Sequence, residues 1–130
     1  MKKIASLLQE NRPLIMGVLN VTPDSFSDGG EFLSLADAVE HAKYLQEWGA
    51  DIIDIGGEST RPGAKSISSS EELQRVMPVI EQLRYVSEVP ISVDTSKAVV
   101  MKKAIECGVT LINDVFSLRK PGALDVIADS

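Results

Sequence analysis

Four times along this chain a short apolar run is followed by a polar loop and then by a segment with helical spacing, and this order limits the fold more than any other feature. The first run, Leu14 to Leu19, ends at Asn20 and leads into VTPDSFSDGGEF, a stretch dense in turn formers. Ser34, with Asp37 three residues on, predicts a helix start. Leu35, Ala38, Val39, Ala42 and Leu45 then recur at helical spacing, and Gly49 closes the segment. The second unit has a strand over Asp51 to Ile55, the loop GGESTRPGAKSIS, and a helix with a capping-box signal at Ser69 and Glu72. Pro78 sits inside that helix, where it predicts a kink or local break. The third unit runs from a strand at Pro90 to Val93 into a helix from about Ser96 to Cys107, closed by Gly108. The fourth has a strand over Val109 to Ile112, a loop from Asn113, and a helix opening near Pro121, a residue favoured in a first turn.

Short apolar strands alternating with helices predict an α/β fold, a parallel sheet of buried strands covered by helices. Two architectures fit, an open doubly wound sheet or part of a (β/α)8 barrel, and in both a ligand sits at the C-terminal ends of the strands. Polar residues fall there: Asn20 ends the first strand; Asp54, then Gly56, Gly57 and Glu58, end the second; Asp94 ends the third; Asn113 and Asp114 end the fourth. Any one of them alone reads equally well as a turn former, but four strand ends on one rim read as a ligand site. Neither G-x-G-x-x-G nor a P-loop occurs, so no Rossmann-type cofactor site is expected.

Composition removes several classes of function. Thirteen Lys and Arg against nineteen Asp and Glu leave a net charge of −6, which suits neither non-specific nucleic-acid binding nor a polybasic membrane contact. The single Cys107 excludes an internal disulfide framework and a cysteine zinc cage, and the single His41 excludes multi-histidine metal sites. No run reaches the length of a membrane span, and the opening MKKIASLLQENRP lacks a signal-peptide core, so a cytoplasmic setting is expected.

The rim residues suit a flat nitrogen heterocycle. A carboxylate accepts paired N–H groups from a planar fork, such as the 2-amino and N3–H edge of a pterin, and an Asn amide both donates and accepts. Asp54, Asp94 and Asn113 fit that pattern. Thr60, Arg61 and Lys65 on the second loop suit phosphate, although Arg61 and Lys65 also read as an ordinary solvated loop. Asn20 offers a neutral oxygen to Mg²⁺, an ion that uses few protein ligands beside substrate phosphates. The two long loops, Val21 to Leu33 and Gly56 to Ser68, read as lids; Phe26 and Pro62 near their tips either close over an aromatic ring or anchor the loops.

IMGVLNVTPDSFSDGG (Ile15 to Gly30), DIIDIGGESTRPGA (Asp51 to Ala64), ISVDTSK (Ile91 to Lys97) and LINDV (Leu111 to Val115) carry a family resemblance, in order and at the expected intervals. The chain resembles the dihydropteroate synthases, which are pterin-binding enzymes. The resemblance implies a (β/α)8 TIM barrel and a transferase of folate synthesis. Such an enzyme joins 6-hydroxymethyl-7,8-dihydropterin diphosphate to p-aminobenzoate, giving 7,8-dihydropteroate and diphosphate. It implies that Asn20 holds Mg²⁺, that Asp94 and Asn113 bind the pterin with Asp54 close by, and that Thr60 and Arg61 approach from the second loop. Phe26 and Pro62 would shape the p-aminobenzoate pocket, where sulfonamides compete, and Asp28 would stabilise positive charge during the reaction. A homodimer is expected at full length.

A barrel of this kind needs about 250 residues and eight strands, against 130 residues and four units here. Residues 1–130 therefore read as the N-terminal part of a pterin-binding barrel domain. The family's later elements, a pterin-contacting Asp, a Lys near the ring and a late Arg-x-His, have no counterpart among them. Two other readings stand beside the synthase: a pterin-binding domain of the methyltetrahydrofolate-type methyltransferases, against which the STRPG and NVTPDSFSDGG loops argue, and an inactive pterin-binding half-barrel.

Overall fold

A computed structural model of the chain describes residues 4–22 and 34–130. Its elements follow the order α1 (Ile4–Leu7), β1 (Met16–Asn20), α2 (Leu35–Glu47), β2 (Ile52–Gly56), α3 (Ser69–Val86), β3 (Ile91–Asp94), α4 (Ala98–Glu106), β4 (Leu111–Asn113) and α5 (Ala123–Ala128). The strands form one parallel sheet in the order β1-β2-β3-β4, so each βα unit lies beside the next. The one-turn helix α1, which the sequence pattern does not announce, buries Leu7.

Register divides the strand residues between two faces. Leu19, Ile55, Val93 and Ile112 lie side by side, with Ile53 and Ile91 below them. This face packs against Ala38 and Ala42 of α2, Val76, Val79, Ile80 and Leu83 of α3, and Val100 and Ala104 of α4, making the hydrophobic core. Burying each large aliphatic side chain stabilises the fold by about 1.5–3 kcal/mol. The opposite face carries Val18, Asp54, Ser92 and Leu111 in one row and Asn20, Gly56, Asp94 and Asn113 in the row above. The expectation of uniformly buried strands holds for β2 but not for β1, where Met16 and Val18 are 38% and 53% exposed. They alternate with Gly17 and Leu19, which point to the helix layer, as a strand's two-residue period requires.

At the other end of the sheet Arg12 binds Asp51 in a two-pronged ion pair, Nη1 to Oδ2 at 2.8 Å and Nη2 to Oδ1 at 2.6 Å. Asp51 also accepts the Ile15 N–H, so one carboxylate ties the entrance of β1 to that of β2.

Helix ends show where local signals suffice. Ser34 caps α2 by accepting the Asp37 N–H at 3.1 Å, and Gly49 follows with φ +100°, as the sequence predicts. The cap of α3 lies one residue earlier than expected: Ser68, not Ser69, accepts the N–H of Glu71, because Glu72 turns inward and is fully buried. α4 begins at Ala98 rather than near Ser96, since Lys97 serves as its extended cap residue and its side chain is engaged elsewhere. α5 begins at Ala123, two residues after Pro121, because Gly122 takes φ +79°, where it lets α5 approach Ala98.

The break expected at Pro78 is absent. α3 runs uninterrupted from Ser69 to Val86, with Pro78 on its outer side and Val76, Val79, Ile80 and Leu83 buried. Core packing holds the helix through the lost backbone bond. Pro78→Ala restores that bond and should raise stability by about 1–2 kcal/mol, the chain-stiffening effect of proline offsetting part of the gain. The readout is a higher urea midpoint at unchanged slope.

Candidate functional site

The C-terminal ends of the four strands meet in one polar row. Asp54 stands one layer below it on β2 and is 4% exposed. Its Oδ2 accepts a hydrogen bond from the Asn113 amide at 3.2 Å, across β3. Among the described residues its Oδ1 is buried without a partner, and so is the hydroxyl of Ser92, its register neighbour on β3. A buried carboxylate oxygen left open costs several kcal/mol unless something satisfies it. Two such atoms side by side mark a place built to meet donors or water.

Asp94, in the row above, is half-buried, and its carboxyl is pushed up to about 6. Burial is the main cause, followed by the negative charges of Asp54, Glu72, Asp114 and Glu58. Between Asp94 and Asn20 lies Gly56. A Cβ there would sit 3.2 Å from Asn20 Oδ1 and 3.7 Å from Asp94 Cβ, so the missing side chain keeps a gap between the two polar groups. The result is an acidic cup with an amide at each edge, Asn20 on β1 and Asn113 on β4. It can accept N–H groups from a flat ring, and its charge favours a ligand that carries or develops positive charge.

The other expected residues fall less neatly. Thr60, Arg61 and Pro62 are exposed on the loop after β2, and the Thr60 and Arg61 side chains make no hydrogen bond to the strand-end residues among those described. Phe26 and Asp28 lie outside the described residues. Asp114, grouped with Asn113 from sequence, is a turn former: its carboxylate accepts the N–H groups of Phe116 and Leu118, both at 2.9 Å, around left-handed Ser117 and Leu118. His41 is remote from the rim on α2, where it stacks on Tyr44.

No group of three or more His, Cys, Asp or Glu suited to a metal occurs among the described residues. Asn20 alone fits a magnesium ion that takes most of its ligands from water and substrate, for it is exposed at the rim beside the Gly56 gap.

Sequence reasoning passed over an ionic cluster behind the rim. Lys97 Nζ donates to Glu72 Oε2 at 2.6 Å and to Glu58 Oε2 at 2.9 Å. Burial alone would push the Lys97 ammonium down, but hydrogen bonds and charge from Glu72 and Glu58 hold it above the usual lysine range. Burial likewise works to raise Glu58, and the Ile67 N–H together with Lys97 overcomes it, leaving the carboxyl below its ordinary value. Ser92 was also missed, although the alternation of Ser92 with Asp94 in ISVD places both on one face.

Residues 16–130 match the family model described as pterin binding enzyme. The chain belongs to that family. Among curated members it is 55% identical over 123 residues to the dihydropteroate synthase of Escherichia coli K12, an alignment covering 95% of this chain and 44% of that protein. To the Bacillus subtilis dihydropteroate synthase it is 53% identical over 117 residues, covering 90% and 41%. The chain thus spans less than half the length of these relatives. Of solved structures, the Xanthomonas albilineans dihydropteroate synthase with 4-aminobenzoic acid aligns with a TM-score of 0.85 at 56% identity, over 92% of this chain and 44% of that one. The Yersinia pestis synthase in a sulfonamide drug complex gives 0.84 at 55%, over 91% and 43%. The Burkholderia cenocepacia synthase complexed with 7,8-dihydropteroate gives 0.79 at 46%, over 92% and 39%. Within this pterin-binding family, the four parallel units are those of a partial (β/α)8 barrel rather than of a doubly wound sheet.

Proposed function

We propose that this chain supplies the pterin-binding side of a dihydropteroate synthase, which joins 6-hydroxymethyl-7,8-dihydropterin diphosphate to p-aminobenzoate. The observation that carries the reading is the acidic cup: Asp54 with one bonded and one open oxygen, Asn113 bridging to it, and Asp94 above. Identity of about 55% to named synthases, and relatives crystallised with 4-aminobenzoic acid and 7,8-dihydropteroate, support it.

In this mechanism the C–O bond between the pterin methylene and diphosphate breaks, and the bonding pair leaves with diphosphate. The amine nitrogen of p-aminobenzoate forms the new C–N bond and gives up a proton to solvent. Asp94 and Asn113 hold the amino and N–H edge of the ring, and Asp54 accepts from below. The negative charge of the two carboxylates stabilises the cation that spreads from the methylene into the ring. Thr60 and Arg61 approach from the second loop, where Arg61 balances the departing anion. To Phe26 and Pro62 we assign the arylamine pocket in which sulfonamides compete, and to Asp28 the stabilisation of positive charge during the reaction. Asn20 would supply a protein ligand to Mg²⁺, which when bound neutralises charge on the diphosphate. A cytoplasmic setting and a homodimer at full length belong to the same proposal.

The test is formation of 7,8-dihydropteroate from labelled p-aminobenzoate by the protein at its natural length. Product that requires Mg²⁺ and falls in competition with a sulfonamide is expected; a folded protein that binds pterin diphosphate but makes no product would overturn the reading.

A pH dependence follows from Asp94, whose carboxyl titrates near 6. A protonated carboxyl cannot accept both N–H groups of the fork. Pterin affinity should therefore rise from pH 5 to pH 7, by up to about tenfold per unit below the midpoint, and level off above it. Calorimetric titration of a pterin at pH 5, 6, 7 and 8 reads this directly.

A further inference from the structure

The second loop, which bears Thr60 and Arg61, is held at its base by charged side chains behind the rim. Glu58, at its start, accepts the backbone N–H of Ile67, at its end, at 2.9 Å, so one carboxylate draws the two ends together. The same Glu58 oxygen takes the Lys97 ammonium, which also grips the fully buried Glu72 on α3. Arg75 of α3 donates to the Gly57 carbonyl at 2.9 Å. Among the described residues, Lys97 to Glu58 and Arg75 to Gly57 are the only side-chain hydrogen bonds or ion pairs that tie segment 57–67 to the remainder of the fold. The bonds within the segment, Arg61 N–H to Ser59 Oγ and Ala64 N–H to the Arg61 carbonyl, only shape it internally.

Lys97 comes three residues after Asp94, at the same strand end. One ammonium thus links the segment that carries Arg61 to the strand that carries Asp94, with Glu72 as its fixed point.

We propose that Lys97, through Glu58, is a positioning residue that sets Thr60 and Arg61 over the rim, and so governs departure of diphosphate and capture of the amine rather than binding of the pterin ring. This rests on the synthase reading above. Lys97 touches no substrate in this proposal. It acts by fixing a loop base whose displacement by an ångström carries a rate penalty of roughly 100-fold.

The test uses the protein at its natural length, assayed at pH 8, about two units above the Asp94 midpoint. Lys97→Met keeps the length of the side chain and removes the charge. We expect kcat/KM for p-aminobenzoate to fall roughly 100-fold, while the dissociation constant of 6-hydroxymethylpterin, which lacks the diphosphate that Arg61 balances, measured by calorimetry, changes less than about threefold. Glu58→Gln should give the same pattern at smaller amplitude, and the double variant should lose no more than Lys97→Met alone. Amide exchange at residues 59–67 should quicken in both single variants while β2 and β3 stay protected. Equal loss of pterin and amine binding, additive losses in the double variant, or unchanged exchange at 59–67 would overturn the proposal. If Lys97→Met does not fold, Glu58→Gln decides by the same measurements. If the unaltered protein makes no dihydropteroate, the synthase reading fails, and with it the role in amine capture; exchange at 59–67 still reports whether the clamp exists.

Discussion

Asp94→Asn should weaken pterin binding by about 100-fold or more and, at the same time, make the ligand-free protein more stable. The binding loss follows from replacing a charged acceptor with an amide whose NH₂ faces the ligand's own donors; hydrogen bonds to charged groups are the strong ones, and the mismatch adds an unsatisfied pair. The stability gain follows from the carboxyl's raised midpoint of about 6, against an ordinary 3.8. The folded state holds the proton more tightly than the unfolded one, so stability falls as pH rises between those two values and stays lowered above 6. Two units correspond to about 3 kcal/mol for a sealed group, and partial exposure of Asp94 reduces this to about 1–1.5 kcal/mol. Urea denaturation should show the Asp94→Asn variant ahead of the parent at pH 7.5 and the two curves converging near pH 4. A variant no more stable than the parent at pH 7.5 would mean that the cup carries no electrostatic strain.

Gly57→Val should cost the fold about 3 kcal/mol. A Cβ at residue 57 would stand 2.7 Å from Val76 Cγ1 and 3.2 Å from Glu72 Cγ. Val76 is fully buried in the face of α3 that packs on the sheet, so it cannot swing aside. Either α3 lifts or the second loop does, and overpacking of this kind costs about 1–3 kcal/mol before the branched side chain is counted. Adding Val76→Ala should recover part of the loss, because it vacates the volume the new side chain needs. The contrast is Gly56→Ala, whose Cβ points into the ligand gap between Asn20 and Asp94. Thermal unfolding and ligand titration of the two variants should separate, residue 57 acting on stability and residue 56 on binding.

Much of this was legible in the sequence because it depends on neighbours. The strand and helix alternation, the Ser34 cap and the Gly49 stop are set by residues within one turn of each other. The positions of Asn20, Asp94 and Asn113 at strand ends, with Asp54 one layer below them on β2, follow from the same pattern. The run Ser68-Ser69-Ser70 shows where local chemistry stops deciding. Ser68 with Glu71 and Ser69 with Glu72 are equivalent capping signals, and only the tertiary demand of Lys97 for a buried partner selects the first. That demand could not be read, since Lys97 lies 25 residues from Glu72 and 39 from Glu58. Asp114 went astray for the opposite reason. An Asp after a strand looks the same whether it faces a ligand or ties down its own turn, and here it does the latter.

The two-faced strands carry a consequence for how such a protein can change over generations. In β2 and β3, Ile53, Ile55, Ile91 and Val93 answer to the helices, while Asp54, Ser92 and Asp94 answer to whatever enters the cup. Substitutions at the second set can alter ligand preference while leaving the hydrophobic scaffold untouched, and drift within the first set can retune thermal tolerance without altering recognition. Each strand of four or five residues thus holds two interleaved inheritances, open to selection separately.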